Sequence, residues 1–333
     1  MGRKASKGKA SRSGSPGRGG GEAAKRALFL ERLARIFSVS LGEAEQIAST
    51  PVGRSVRINR LAPRNRDAIE ADLIATGAAL EPVGCWCPDA WHLHSDKAAL
   101  VDSALFEAGE IYLQNASSFA PSLALEPAPG QRILDLCAAP GGKALHIAAL
   151  AGGEAALHLN DGIPARVKKL ETVLAQFHAR PEAITGHPAQ YADKFIEGPF
   201  DRILIDAQCT GEGMVDLSAP APLRFWSMER IAKYSRLQQR MIMSAWKLLK
   251  PGGVLVYSTC TYAPEEDEAP VSHLLQHRAD AMAEPIPLDL PRAQAGLTRW
   301  DGRSFHEGVA HARRIRASAQ MEGFFLARVR KRA

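Results

Sequence analysis

The chain has 333 residues, of which 46% are apolar and 23% charged. That composition excludes a collagen, a wholly disordered chain and a disulfide mini-protein, and the length suits roughly two domains of about 150 residues. The formal net charge of +6 equals the six basic residues of positions 1–20 (Arg3, Lys4, Lys7, Lys9, Arg12 and Arg18), which face no acid, so the remainder is formally neutral.

Residues 1–21 read as a disordered basic tail. A Gly/Ser-rich stretch buries too little apolar surface to order itself, yet its charges can displace counterions from a polyanion. Residues 22–104 read as a small α+β module. Apolar positions Ala27, Leu30, Leu33 and Phe37 predict a helix over 22–38, and a second helix is predicted over 41–49, closed by Pro51. Residues 56–58 predict a strand and 67–76 a helix ended by Gly77, while 86–94 predict a hairpin around Pro88-Asp89.

Residues 105–333 alternate short apolar strands with helices, the pattern of an α/β parallel sheet. The expected strands are 132–136, 155–160, 183–185, 201–206, 254–258 and 324–329. Helices are expected near 143–150, 164–177, 228–249 and 264–277. No uncharged stretch reaches the roughly 18 to 20 apolar residues of a membrane span, and no apolar signal core follows the start. A soluble, cytoplasmic chain with no membrane partner is expected. Five cysteines, Cys85, Cys87, Cys137, Cys209 and Cys260, are odd in number and scattered, which fits a reducing compartment better than a disulfide framework.

Ile133 to Lys143 is an apolar strand running into a small-residue loop and then a helix, so a ligand can approach the backbone at the strand's carboxyl end. It is not the GxGxxG dinucleotide fingerprint. Asn160-Asp161 ends the next strand, where a carboxylate can accept hydrogen bonds from two ribose hydroxyls. A nucleoside cofactor fits that pair better than a bare phosphate.

Two further strands each deliver a cysteine just past their carboxyl ends, Cys209 three residues after Asp206, and Cys260 after Tyr257-Ser258-Thr259. Paired thiols at a cofactor crevice suit methylation at a pyrimidine C5. Addition of a thiolate to C6 makes C5 enamine-like, and the thiol must lose its proton to do so. Spacing alone does not rank the two cysteines.

DLCAAPGGK at 135–143, DAQCTGEG at 206–213, STCTYAPEEDE at 258–268 and EGFFLARV at 322–329 resemble the ordered motifs of the Sun/Fmu-type (NOP/Sun family) RNA 5-methylcytosine methyltransferases. Tyr112 to Ser118 matches the usual lead-in, and the likeness spans about 105–330, with a less specific likeness to the family's RNA-binding domain over 25–104. The resemblance implies a Rossmann-like class I methyltransferase domain behind a small N-terminal α+β RNA-binding domain. It also implies cytosine C5 methylation in ribosomal or transfer RNA, by a monomer.

By the same resemblance, Cys137, Ala138, Ala139, Pro140, Gly141, Gly142, Lys143 and Asp161 bind S-adenosylmethionine, with Arg166 assisting and Asp206 facing the cofactor. Cys260 is implied as the nucleophile on C6 and Cys209 as the thiol that helps release the product. Asp206 is implied to hydrogen-bond the protonated N3 side of cytosine, and Lys143 to sit near the catalytic crevice.

Three departures bear on this. Gln208 replaces the family's usual proline, which predicts a looser loop around Cys209. Residues 185–189 lack the common adenine-contacting Asp, leaving His187 or a backbone group to serve. Residues 214–223 lack a Lys-Asp-Pro run. The rival readings are a non-catalytic RNA-binding or assembly factor that keeps the fold, and a methyltransferase acting on protein or a small molecule, which needs neither paired thiols nor a basic tail.

Other features have plainer expectations. Glu265, Glu266, Asp267 and Glu268 after Pro264 read as acids at a helix N-terminus, with Pro264 in the first helical position. Cys85, Cys87, His92 and His94 read as a partly buried hairpin, so no metal is expected. The run Arg313, Arg314, Arg316, Arg328, Arg330, Lys331 and Arg332 reads as an RNA face, and Phe324-Phe325 as core strand.

Overall fold

The computed structural model describes residues 18–333. Helix α1 (Arg18–Phe37) already includes the last residues of the expected tail, whose positions 1–17 lie outside the described residues. Helix α2 (Leu41–Ser49) starts at a capping box, in which Ser40 Oγ accepts from the Glu43 amide and the Glu43 carboxylate accepts from the Ser40 amide.

Next come β1 (Arg54–Ile58), α3 (Arg66–Ala75), β2 (Leu80–Pro82), β3 (Ala90–Leu93), the single-turn helices α4 (Ala98–Val101) and α5 (Ala104–Glu107), and β4 (Ile111–Gln114). The four strands form one antiparallel sheet in the order β2-β3-β1-β4. Val56, Ile58, Ile69, Leu73, Trp91 and Ile111 are buried together beneath it.

This differs from expectation in three ways. The sheet extends past 104, because the open edge of β1 is paired by residues 111–114. The hairpin pairs 80–82 with 91–93, and Trp86 to Asp89 form its connecting loop, where Gly84 turns at φ +118. Helices α1 and α2 pack away from this sheet: Phe29, Leu33 and Phe37 cluster with Trp226, Tyr262 and Trp300. An apolar stripe fixes that a helix is covered, not what covers it.

The rest of the chain runs α6 (Ala120–Leu125), β5 (Arg132–Asp135), α7 (Gly142–Leu150), β6 (Ala156–Asn160), α8 (Pro164–Gln176), β7 (Ala183–Thr185), β8 (Phe200–Asp206), α9 (Met228–Leu248), β9 (Leu249–Thr259) and α10 (Glu268–His277). It closes with β10 (Ala281–Glu284), β11 (Ala293–Ala295), the ribbon β12 (Arg299–Trp300) and β13 (Arg303–Ser304), then β14 (Arg313–Ile315) and β15 (Phe324–Lys331). The large sheet has the order β11-β14-β15-β9-β8-β5-β6-β7, with β10 also on β15. From β7 to β9 the strands are parallel, and β15 is antiparallel to β9.

This is a Rossmann-like sheet. Its central strands are apolar on both faces because helices cover both, as Ile203, Leu204, Ile205, Leu255 and Val256 demonstrate by complete burial. The chain leaves β5 toward β6 on one side and reaches β8 on the other, so a crevice opens at the carboxyl ends of these strands. Among the described residues, no helix is long and apolar enough to cross a membrane.

Helix α10 begins at Glu268 rather than Pro264. Its approach is a turn because each acid there serves a different distant partner. Glu265 takes Arg32 and Trp300, Glu266 takes Thr210 and Gln238, Asp267 accepts from Thr259, and Glu268 pairs with buried Arg314.

Four of the seven residues of the C-terminal basic run are taken up inside the protein and do not serve the expected RNA face, whereas Arg316 and Arg332 make no ion pair among the described residues. Arg314 and Arg328 are buried on Glu268 and Glu284, Arg330 reaches Glu284, and Lys331 donates to the Trp246 and Leu249 carbonyls. Phe324 and Phe325 are buried in the core.

Candidate active site

The loop after β5 turns at Gly141, whose φ of +124° suits glycine, and hands the chain to α7. Cys137, Ala138, Ala139, Pro140, Gly142 and Lys143 line a small cavity with Tyr112, Gln114, Ser118, Asp135 and Asp206. Gly141 faces the other way, since a Cβ there would meet Val173 and Leu170 of α8 at 3.1 and 3.2 Å.

Cys137 also borders a second cleft, lined by Asp161, Gly162, Arg166, Pro188, Gln190 and Gln208 among others. Two lobes therefore meet at one backbone loop. The lobe by Asp161 suits a nucleoside, and the lobe by Asp135 and Lys143 suits a polar tail.

Asp161 is 2% exposed, and its Oδ1 accepts from the Ile163 amide at 3.1 Å. Its Oδ2 has no hydrogen-bond donor, although Arg166 Nη2 lies 3.3 Å away and itself donates to the Ala139 carbonyl. A buried carboxylate oxygen left open is an acceptor awaiting a ligand hydroxyl. Asn160 braces the spot by donating to Leu136 and His187 carbonyls.

The His187 ring does not enter the cleft. It stacks on Phe195 with centroids 4.9 Å apart, leaving Gln190 as the polar side chain on that wall.

In the other lobe, Asp206 is gripped at both oxygens: Lys143 Nζ lies 2.8 Å from Oδ2, and Ser258 Oγ donates to Oδ1 at 2.8 Å. Burial alone would favour a neutral Lys143, but Asp206 outweighs it and holds the ammonium's pKa above its ordinary value. Asp135, almost wholly buried, is pushed up to about 7 by burial and by the charge of Asp206, and its Oδ2 also lacks a partner. The tail lobe is thus lined by a second carboxyl with an unpartnered oxygen.

The two expected thiols meet. Cys209 Sγ and Cys260 Sγ are 3.3 Å apart, neither is in a disulfide, and both are partly exposed. The hydrogen bond to Cys260, reinforced by burial, raises the Cys209 thiol well above its ordinary range. Cys209 therefore keeps its proton, and either sulfur can be the donor between them.

Three motif segments lock this contact. Gly213 donates to the Cys260 carbonyl at 3.0 Å, and Gly323 donates to the Gly213 carbonyl at 2.9 Å. A Cβ on Gly323 would collide with the hydroxyl and ring of buried Tyr262, so only glycine fits.

The loop carrying Cys209 is held without proline. Gln238 of α9 donates to the Gln208 carbonyl at 2.8 Å and to Glu266 Oε2 at 3.0 Å, and Glu266 also accepts from the Thr210 amide at 3.0 Å and the Thr210 hydroxyl. The looseness expected from Gln208 is countered on both flanks of the cysteine. Sequence reasoning missed Glu266, Gln238, Ser118, Ser258 and the open oxygen of Asp135. Glu266 lay inside an acidic run with an ordinary helix-end explanation, and nothing in the sequence marked Gln238.

The four residues of the Cys85–His94 segment part company: Cys85 is exposed, Cys87 buried, His92 meets Ser55 and His94 meets Glu81. Among the described residues, no group of three or more His, Cys, Asp or Glu could hold a metal ion.

Residues 122–330 match a family described as 16S rRNA methyltransferase RsmB/F. A tRNA (cytosine(49)-C(5))-methyltransferase of Pyrococcus abyssi is 35% identical over 282 residues, covering 84% of this chain and 89% of that protein. The 25S rRNA (cytosine-C(5))-methyltransferase nop2 of Schizosaccharomyces pombe is 32% identical over 91% of this chain, which spans only 50% of that longer protein. Among solved structures, a methyltransferase homolog protein from Pyrococcus horikoshii superposes with a TM-score of 0.74 at 28% identity, covering 91% of this chain and 99% of its own.

Proposed function

The chain belongs to the RsmB/F methyltransferase family, and from that premise we propose that it methylates C5 of cytosine in RNA, with S-adenosylmethionine as donor, through a transient Cys260–C6 bond. The observation that carries the reading is the 3.3 Å thiol pair set beside the Lys143–Asp206 pair at the crevice. A methyltransferase acting on an already nucleophilic amine or hydroxyl would have no use for two such thiols.

The residues fit the donor: the open oxygens of Asp161 and Asp135 can accept from ribose hydroxyls and from an ammonium, and the loop 137–143 leaves room between them. S-adenosylmethionine, when bound there, supplies the electrophilic methyl group.

The chain's own residues do the rest. Cys260 adds as thiolate to C6, the electron pair this pushes onto N3 takes a proton relayed from the Lys143 ammonium through Asp206, and Asp206, oriented by Lys143 and Ser258, then accepts a hydrogen bond from the N3–H. Once C5 carries the methyl group, its proton must leave for the ring to expel Cys260. On this reading Cys209, 3.3 Å from Cys260, passes its own proton to the departing Cys260 sulfur and takes the C5 proton in its place, so one relay closes the C5–C6 double bond and frees the enzyme.

One chain supplies every named group, so a monomer suffices. The relatives' names divide between tRNA and rRNA, so the substrate class proposed is RNA. The non-catalytic assembly-factor reading loses one of its grounds, because the Gln208 loop is pinned.

The test is a trapping experiment on a denaturing gel. Cys209→Ala should accumulate a covalent RNA adduct, and Cys260→Ala should form none and lose methyl transfer. The reverse pattern would exchange the two roles, and an adduct from neither would remove the covalent mechanism.

A further inference from the structure

We propose that the outward face of α9 and the groove beside it form the track for the RNA strand that flanks the target nucleotide, with Phe225 as its base-stacking platform. The proposal rests on the RNA-methyltransferase reading and assigns that substrate a place on the surface.

Many arginines of this chain are neutralised internally, as the C-terminal run illustrates. Arg224, Arg230, Lys233, Arg236 and Arg240 differ, being exposed and making no ion pair among the described residues. Along α9 the last four recur three and four residues apart, so they are successive neighbours turned away from the core that Ile231, Met241, Ile242 and Trp246 bury. Glu229 is the one acid of this helix. A row of unpaired like charges repels itself, and a polyanion relieves that repulsion.

The row borders a concave surface. Hollows of about 670 and 450 Å³ adjoin at Trp300, Asp301 and Arg303, between the end of α1, the β12–β13 ribbon and α9. Arg35, Arg299, Arg303 and Arg236 line them against two acids, Asp301 and Glu265, which are paired with Arg35 and Arg32, so Arg236, Arg299 and Arg303 make no ion pair among the described residues. The lining is thus net positive and open, as a phosphate backbone requires.

At the start of α9, Phe225 is 65% exposed, with the guanidinium carbons of Arg224 and Arg230 at 5.0 and 5.7 Å from its ring centre. A large apolar ring held in water beside two cations serves no core, but it offers a face on which any base can stack. A single strand, whose bases are free to stack, fits this arrangement better than a duplex. On its buried side the same helix carries Gln238, which holds the Cys209 loop, so α9 joins the track to the catalytic loop.

The experiment titrates labelled oligocytidylate against the full chain at several salt concentrations. Substituting Arg236, Arg299 and Arg303 together by alanine should reduce the slope of log affinity against log salt by about 2, at roughly 0.7 per lost phosphate contact. Phe225→Ala should weaken binding about tenfold with the slope unchanged. Both variants should keep the wild-type melting temperature and S-adenosylmethionine affinity.

An unchanged slope in the triple variant, with RNA still methylated, would overturn the track while leaving the methyltransferase reading standing. So would a triple variant that binds RNA normally but loses polyglutamate, which would assign the face to an acidic protein. Failure of the wild-type chain to bind or methylate any RNA would overturn both.

Discussion

Replacing Glu266 by glutamine isolates the group that holds the Cys209 loop. The Glu266 side chain is fully buried, and burial pushes its carboxyl from the ordinary 4.5 up to about 8. Between those values the folded chain holds a proton that the unfolded chain has released, so this group's stabilising contribution is complete below pH 4.5 and is lost as pH rises through about 8. At about 1.4 kcal/mol for each tenfold change in proton affinity, the full loss is on the order of 5 kcal/mol.

Glutamine fits the same hydrogen bonds. Its oxygen can accept from the Thr210 amide and Gln238, as Oε2 does now, and its amide can donate to the Thr210 hydroxyl. Urea unfolding of both proteins from about pH 5 to about pH 9 should therefore show Glu266→Gln gaining on the wild type as pH rises, by a few kcal/mol at the alkaline end. Asp135, raised to about 7, contributes in the same direction in both proteins and cancels from the difference. Glu266→Ala, which removes the same titrating group, should rise against the wild type in parallel with Glu266→Gln but lie about 1 to 3 kcal/mol below that variant at every pH, because the Thr210 amide is left without an acceptor. Parallel pH profiles for the wild type and Glu266→Gln would refute the assignment.

Two further substitutions probe neighbouring contacts. Lys143→Met removes the ammonium 2.8 Å from Asp206 and should slow single-turnover methyl transfer about a hundredfold, read by rapid quench with RNA saturating. Gly323→Ala forces a methyl group onto the Tyr262 hydroxyl. It should cost about 1 to 3 kcal/mol in a melting experiment and weaken adduct formation by Cys260, whose carbonyl the Gly213–Gly323 bridge holds.

Much of the architecture was legible because it is written locally. Strand 183–185 and helix 41–49 have the bounds that their residue patterns predict, and β5, β6 and β8 differ by a residue at an end. Apolar runs flanked by helix periodicity need no distant partner to declare themselves. The motif segments likewise placed both thiols just beyond strand ends.

Charged residues were a different matter. Arg328 reads from sequence as part of a basic surface, yet it meets Glu126 and Glu284, one of them about two hundred positions away. The run 265–268 reads as one acidic patch, yet its four carboxylates serve four separate regions. A charge states what it can pair with but not where that partner lies.

The amino-acid sequence by itself determined the alternating α/β order, the small-residue loop after β5, and the presence of two cysteines at strand ends. Only the tertiary structure decided that those sulfurs lie in contact, that Glu266 and Gln238 replace the missing proline as the brace of the Cys209 loop, and that a row of unpaired basic residues runs along α9 while Arg314, Arg328 and Arg330 are captured by carboxylates. The division follows from range. Periodicity and turn chemistry act over a few residues, whereas burial of a carboxylate, capture of an arginine and the meeting of two thiols depend on which distant segments the folded sheet brings to one edge.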